Sequence, residues 1–152
     1  MSMVRLIYAS RFARGVGPND IQDIVRVSRK HNEEIGVTGV LCYDPHFFLQ
    51  CLEGDRDAVN ELYNHIIRDE RHKNIRLLEY SDIDERVFPS WSMAYIRIDE
   101  ITRPILLKYG TTATFDPFTM SARQSLGFIQ EIAAERHKFL EKARQSLTGK
   151  SS

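Results

Sequence analysis

The amino-acid sequence predicts an α+β fold: one sheet of five strands with two helices on one face, followed by further helices. Three observations predict it. Short runs rich in bulky apolar residues recur at strand length, at residues 3–9, 35–43, 46–53, 75–81 and 92–98. Between them, residues 20–33 and 56–68 carry apolar side chains at helical spacing instead. Turn chemistry separates the runs, at Gly15-Val16-Gly17-Pro18-Asn19-Asp20, at Asp44-Pro45-His46 and at Gly54-Asp55. The resulting order, β-α-β-β-α-β-β, is ferredoxin-like and leaves a groove between the two helices.

Each element follows from its residues. Val4-Arg5-Leu6-Ile7-Tyr8 makes the first strand, with Tyr8 at its end. The first helix puts Ile21, Ile24, Val25, Ser28 and Asn32 on one stripe that begins apolar and finishes polar. Such a stripe fits a last turn that reaches water; it also fits a ligand with one greasy and one polar end. Residues 35–43 and 46–53 form a hairpin, and Gly36 and Gly39 mark a close approach by another group. Within Phe47-Phe48-Leu49-Gln50-Cys51-Leu52, the Gln50 amide is the exception. A buried amide must have partners for its donor and acceptor ends or cost a few kcal/mol. Gln50 therefore points to a buried polar ligand, to a polar neighbour such as Tyr8, or to an open sheet face.

Asp55 caps the second helix, whose inner face carries Val59, Leu62, Tyr63, Ile66 and Ile67. That helix closes near Asp69-Glu70-Arg71-His72. Strands at Ile75 to Ser81 and, beyond Arg86-Val87-Phe88-Pro89, at Ser92 to Ile98 complete the sheet. After Ile101 the texture changes. A short helix at Arg103–Tyr109 is stopped by Gly110, and a loop with Pro117 follows. Ser121-x-x-Gln124 reads as a capping box for a helix to about Arg144, with Leu126, Ile129, Ala133, Arg136 and Leu140 at helical spacing. The expected division is a domain at 1–99, a helical extension at 100–147 packed on the sheet face opposite the first two helices, and a disordered tail at 148–152.

Composition narrows the function. Basic and acidic residues balance at 21 each, which argues against a direct nucleic-acid or anionic-membrane partner. The absence of a signal-peptide pattern and of a membrane-length apolar run predicts a cytoplasmic protein. Cys42 and Cys51 lie on hairpin strands but not opposite each other, so reduced thiols are expected. The five histidines are scattered, without zinc-like spacing, so no metal is expected. There is no nucleophile elbow or phosphate loop; Arg14 beside Gly15 belongs to a flexible loop. Phe47 and Tyr95 could stack on bases, but a core role suits them better.

The set Tyr8, Asn32, Gly36-Val-Thr-Gly-Val-Leu-x-Tyr43, Phe48-Leu-Gln-x-Leu-Glu-Gly54 and Trp91-Ser92-Met93 closely resembles the BLUF family of flavin-binding blue-light sensors, from about Met3 to about Ile98. The resemblance implies a noncovalent FAD whose ring slots between the two helices. Ile24 and Ile66 would sandwich the ring, while Ser28, Lys30, His31 and Asn32, with Asp69, Arg71 and His72, would meet its polar parts. It implies photochemical roles for Tyr8, as donor of an electron and a proton, and for Gln50, whose hydrogen bonds switch. Trp91 and Met93 would relay that switch. Nothing after Ile98 looks catalytic, so the resemblance implies a short non-enzymatic sensor, a homo-oligomer that signals through an unidentified protein partner. The alternatives are a flavin-dependent oxidoreductase, for which a dinucleotide fingerprint is missing, and a flavin-free ferredoxin-like binding module.

Overall fold

The structure is a computed structural model and describes residues 2–89, 93–99, 103–110 and 112–149. The elements run β1 Met3–Phe12, α1 Pro18–Ile35, β2 Thr38–Tyr43, β3 Phe47–Asp55, α2 Arg56–Arg68, β4 His72–Ile83, β5 Ala94–Arg97, α3 Arg103–Tyr109, a 3-10 turn at Pro117–Thr119 and α4 Ala122–Gly149. The five strands form one sheet in the order β4-β1-β3-β2-β5. All neighbours are antiparallel except β5, which runs parallel to β2. The architecture is the ferredoxin-like α+β sheet that the sequence predicts.

Local chemistry sets the boundaries. Pro18 opens α1, and the Gly17 N–H donates to the Asp20 carboxylate at 2.9 Å. The helix ends at Gly36, whose φ of 69° is left-handed and whose N–H donates to the Asn32 carbonyl. Asp55 caps α2 by accepting from the N–H groups of Asp57 and Ala58. The close approach at Gly39 is made by β3: a Cβ there would collide with the Cys51 carbonyl oxygen. Ser121 and Gln124 form a reciprocal capping box, at 3.1 and 2.8 Å.

Several boundaries differ from expectation. β1 runs past Tyr8 to Phe12, because Ala9, Ser10 and Arg11 stay paired with Leu49, Phe48 and Phe47 of β3. β4 begins at His72, where Phe12 pairs with it. β5 is shorter, Ala94–Arg97, so Met93 stands just before it. The connection from β4 to β5 places Val87 and Phe88 in the core. α4 continues beyond Arg144 and takes in Thr148 and Gly149.

Alternation along the strands divides the core in two. On one face Leu6, Tyr8, Leu41, Phe48 and Leu52 pack with Ile24, Val25, Val59 and Leu62 of the two helices. On the other, Ile7, Val40, Cys42, Leu49, Cys51 and Ile96 pack with Phe128, Ile129, Ile132 and Ala133 of α4. The α4 stripe is buried through Ala133, whereas Arg136 and Leu140 are exposed. Both cysteines are free and buried; Cys42 pairs with Leu49 and Cys51 with Val40. Burial pushes the Cys42 thiol up to about 12. Among the described residues no helix is long and apolar enough to cross a membrane.

Candidate functional site

A cavity of about 290 Å³ lies between α1 and α2. Tyr8, Leu41 and Gln50 rise into it from the sheet. α1 contributes Ile24, Val27, Ser28, His31 and Asn32, and α2 contributes Leu62, His65 and Ile66. Asp69, Arg71 and His72 close the remaining side. The helical period explains this set: Ile24, Val27, Ser28 and His31 fall three, four and seven residues along one face. His31 and His65 face each other across the mouth, rings 6.5 Å apart.

Tyr8 and Gln50 are directly opposite in the β1–β3 ladder, which brings their side chains together on the helix-covered face. The Tyr8 hydroxyl donates to Gln50 Oε1. Gln50 Nε2 in turn donates to Met93 Sδ at 3.3 Å. Tyr8, Gln50 and Met93 are all buried. Burial, reinforced by Tyr63 and Asp69, raises the Tyr8 phenol far above its ordinary value, so it stays protonated and remains the donor. Gln50 thus has protein partners at both ends of its amide, and it does not lie on an open sheet face.

The polar side is a second network. Arg71 donates to the Asp69 carboxylate through Nε at 3.0 Å and Nη2 at 2.7 Å, and its backbone N–H adds a third bond at 2.9 Å. These bonds lower the Asp69 pKa and raise that of Arg71. Arg71 also reaches Asp23 of α1 at 3.3 Å, tying α1 to the connection between α2 and β4. His72 Nδ1 and the buried Ser10 hydroxyl are 2.9 Å apart. The His72 ring packs 4.7 Å from that of Phe48.

Burial pushes the His72 imidazole down to about 4; Asp69 opposes this and Arg71 reinforces it. The unfolded chain therefore binds a proton near pH 6.5, where the folded chain does not. Stability from this group is present above the unfolded value and is lost as pH falls from 6.5 towards 4. The urea midpoint of the flavin-free protein should drop across that window, and His72→Gln should flatten the drop. Parallel profiles for the two proteins would show that His72 is not responsible.

Of the residues predicted from sequence, Tyr8, Ile24, Ser28, His31, Asn32, Gln50, Ile66, Asp69, Arg71 and His72 come together around one cavity. Lys30 does not: it is exposed, and six residues from Ile24 it is rotated off the cavity face. Met93 touches Gln50 from below the lining. Trp91 lies outside the described residues. Leu41, Val27, Leu62 and His65 also line the cavity and were not among the site residues predicted from sequence. Leu41 could have been found from the hairpin register, which pairs it with Gln50.

A family model described as "BLUF: Sensors of blue-light using FAD" matches residues 3–94. The beta subunit of the photoactivated adenylate cyclase of Euglena gracilis is 33% identical over 93 residues, which covers 60% of this chain and 11% of that protein. The alpha subunit from the same organism is 38% identical over 88 residues, 58% of this chain and 9% of its own length. The chain thus spans about a tenth of these cyclase subunits. Among solved structures, the photo-activated state of BlsA superposes with a TM-score of 0.78 at 35% identity, covering 86% of this chain and 94% of that one. The dark-state structure of BlrB, a BLUF protein, superposes with a TM-score of 0.74 at 31% identity, covering 89% of this chain and 97% of that one. The chain belongs to the BLUF family, the blue-light sensors that use FAD.

Proposed function

We propose that this chain is a noncovalent flavin photoreceptor that signals through protein contacts, with Tyr8 and Gln50 as its photochemical pair. The observation that carries the reading is the hydrogen-bonded run from Tyr8 through Gln50 to Met93 at the cavity floor. The cavity chemistry fits a flavin ring. Ile24, Leu41, Leu62 and Ile66 offer apolar surface, and the buried Asn32 offers an amide for a polar edge. A volume of about 290 Å³ is at the small end for an organic ligand and matches a fused-ring head better than a whole dinucleotide. Ser28, His31, Asp69, Arg71 and His72 supply the polar contacts around it.

When bound, flavin supplies blue-light absorption and an excited state that takes up an electron and a proton. Tyr8 is the residue built to give both: its phenol is held neutral, and its proton already points at Gln50 Oε1. The Gln50 amide can change ends, by rotation or tautomerisation, without changing charge. Rotation would turn Nε2 towards the Tyr8 oxygen and Oε1 towards Met93 Sδ, which has no proton to donate. The amide orientation is therefore coupled to the position of Met93 at the start of β5. Residues 100–147 form the output extension in this reading. The exposed half of α4, beyond Ala133, is the surface offered to a second copy or another protein, biased by a small conformational free energy.

The purified protein should be yellow and show a small, reversible red shift after blue light. Bleaching with substrate turnover would replace this reading with a flavin oxidoreductase, and colourless protein that cannot take up flavin would replace it with a binding module. Asn32→Ala should weaken flavin binding by about 1–3 kcal/mol, the usual cost of a lost buried hydrogen-bonding partner. Titration of the apoprotein checks this, and unchanged affinity would place the polar edge elsewhere.

A further inference from the structure

We propose that Arg29 is a positioning residue that holds Met93 in place as the acceptor for Gln50. This rests on the sensor reading above and adds to it the element that sets how long the switched state lasts. Three observations meet at this residue. Met93 precedes the β2–β5 ladder, whose first pair is Val40 with Ala94, so the ladder does not fix its main chain. The Arg29 Nε instead donates to the Met93 carbonyl oxygen at 2.8 Å. The Arg29 guanidinium also lies 4.8 Å from the centre of the Tyr95 ring, which stacks on Tyr43 of β2 with ring centres 6.2 Å apart.

β5 is a four-residue edge strand, the element of the sheet with the least backbone pairing to hold it. Arg29 is therefore a clasp from α1 to the start of that strand. It lies next to Ser28, which lines the cavity, so α1 both shapes the cavity and fixes the residue beneath it. A charge-assisted bond to a main-chain carbonyl is strong for a group at the surface. Held by it, Met93 Sδ accepts from Gln50 Nε2 and favours the amide orientation seen in the structure. In the reversed orientation the Gln50 oxygen would face a sulfur that the clasp does not let retreat. Releasing the clasp removes that penalty and lengthens the life of the switched state.

The test is Arg29→Met in the full flavin-loaded chain, which keeps an unbranched side chain against Tyr95 and removes the donor. Flavin content and the size of the light-induced red shift should stay as in the wild type. Thermal recovery in the dark should slow by about fivefold or more, and the Met93 methyl resonance of the dark protein should shift. Arg29→Lys, which keeps a cationic donor for the carbonyl but not the guanidinium plane over Tyr95, should recover faster than Arg29→Met. Recovery of Arg29→Met that is unchanged or faster overturns the proposal, as does an unmoved Met93 resonance. If Arg29→Met fails to fold, Tyr95→Leu carries the test, with a smaller slowing expected and an unchanged rate counting against the clasp. A wild-type protein with no reversible shift would defeat the sensor reading itself. The Met93 resonance would still decide whether Arg29 holds that residue.

Discussion

Tyr8→Phe is expected to bind flavin normally and to lose the light-induced shift completely. The phenyl ring occupies the same buried place between β3 and β4, so packing is preserved. What disappears is the O–H directed at Gln50 Oε1. The amide oxygen is then buried without that donor, a cost of about 1–3 kcal/mol that a domain of this size withstands. The photochemistry has no such tolerance, because Phe cannot release a proton together with an electron. Gln50→Leu should fail in the same way, since it removes both ends of the switching amide at similar bulk. Difference spectra before and after blue light check both variants. A full reversible shift in Tyr8→Phe would remove Tyr8 from the mechanism, and normal photocycling in Gln50→Leu would reduce Gln50 to a polar core residue.

The residues proposed to carry this chemistry were legible as a set that resembles the family, and two of them also break their local pattern. Gln50 is an amide in an apolar strand, and Asn32 is the polar end of a helical stripe; both are buried against the cavity. Periodicity also placed Ile24, Ser28 and Ile66. It failed where contacts are not periodic. The strand expected from the apolar run stops at residue 9, yet Ser10 stays paired with Phe48 and is buried against His72. Arg29 carries no local signal, because its partner is a main-chain carbonyl 64 residues away. The connection from β4 to β5 was obscure for a similar reason. Arg86-Val87-Phe88-Pro89 has no regular pattern, and what fixes it is a carboxylate on another strand.

That carboxylate belongs to Glu53, and Glu53→Leu is expected to cause the largest loss of stability. Glu53 is fully buried on β3. It pairs with Arg5, its direct partner on β1, at 3.0 Å, and accepts from the N–H groups of Val87 and Phe88 at 3.0 and 2.8 Å. Leu would leave Arg5 with the longer contact to Glu79, 3.6 Å, and take the acceptor from both N–H groups. Removing one member of a buried pair costs about 3–5 kcal/mol, and the remaining Glu79 contact places this case near the lower figure. Glu53→Gln keeps an acceptor oxygen and should cost about 1–2 kcal/mol. Replacing the pair together, Arg5→Met with Glu53→Leu, should recover part of the loss, because no uncompensated cation remains. Urea unfolding of the full chain measures all three, and a Glu53→Leu protein within about 0.5 kcal/mol of the wild type would show that the pair anchors nothing. The effect should reach the light response as well. Arg86 reinforces the same junction through the carbonyls of Glu53 and Gly36, and the anchored segment leads the chain back towards Met93. β3 therefore presents the switching amide on one face and, three residues on, the anchor of the segment leading to that amide's partner on the other.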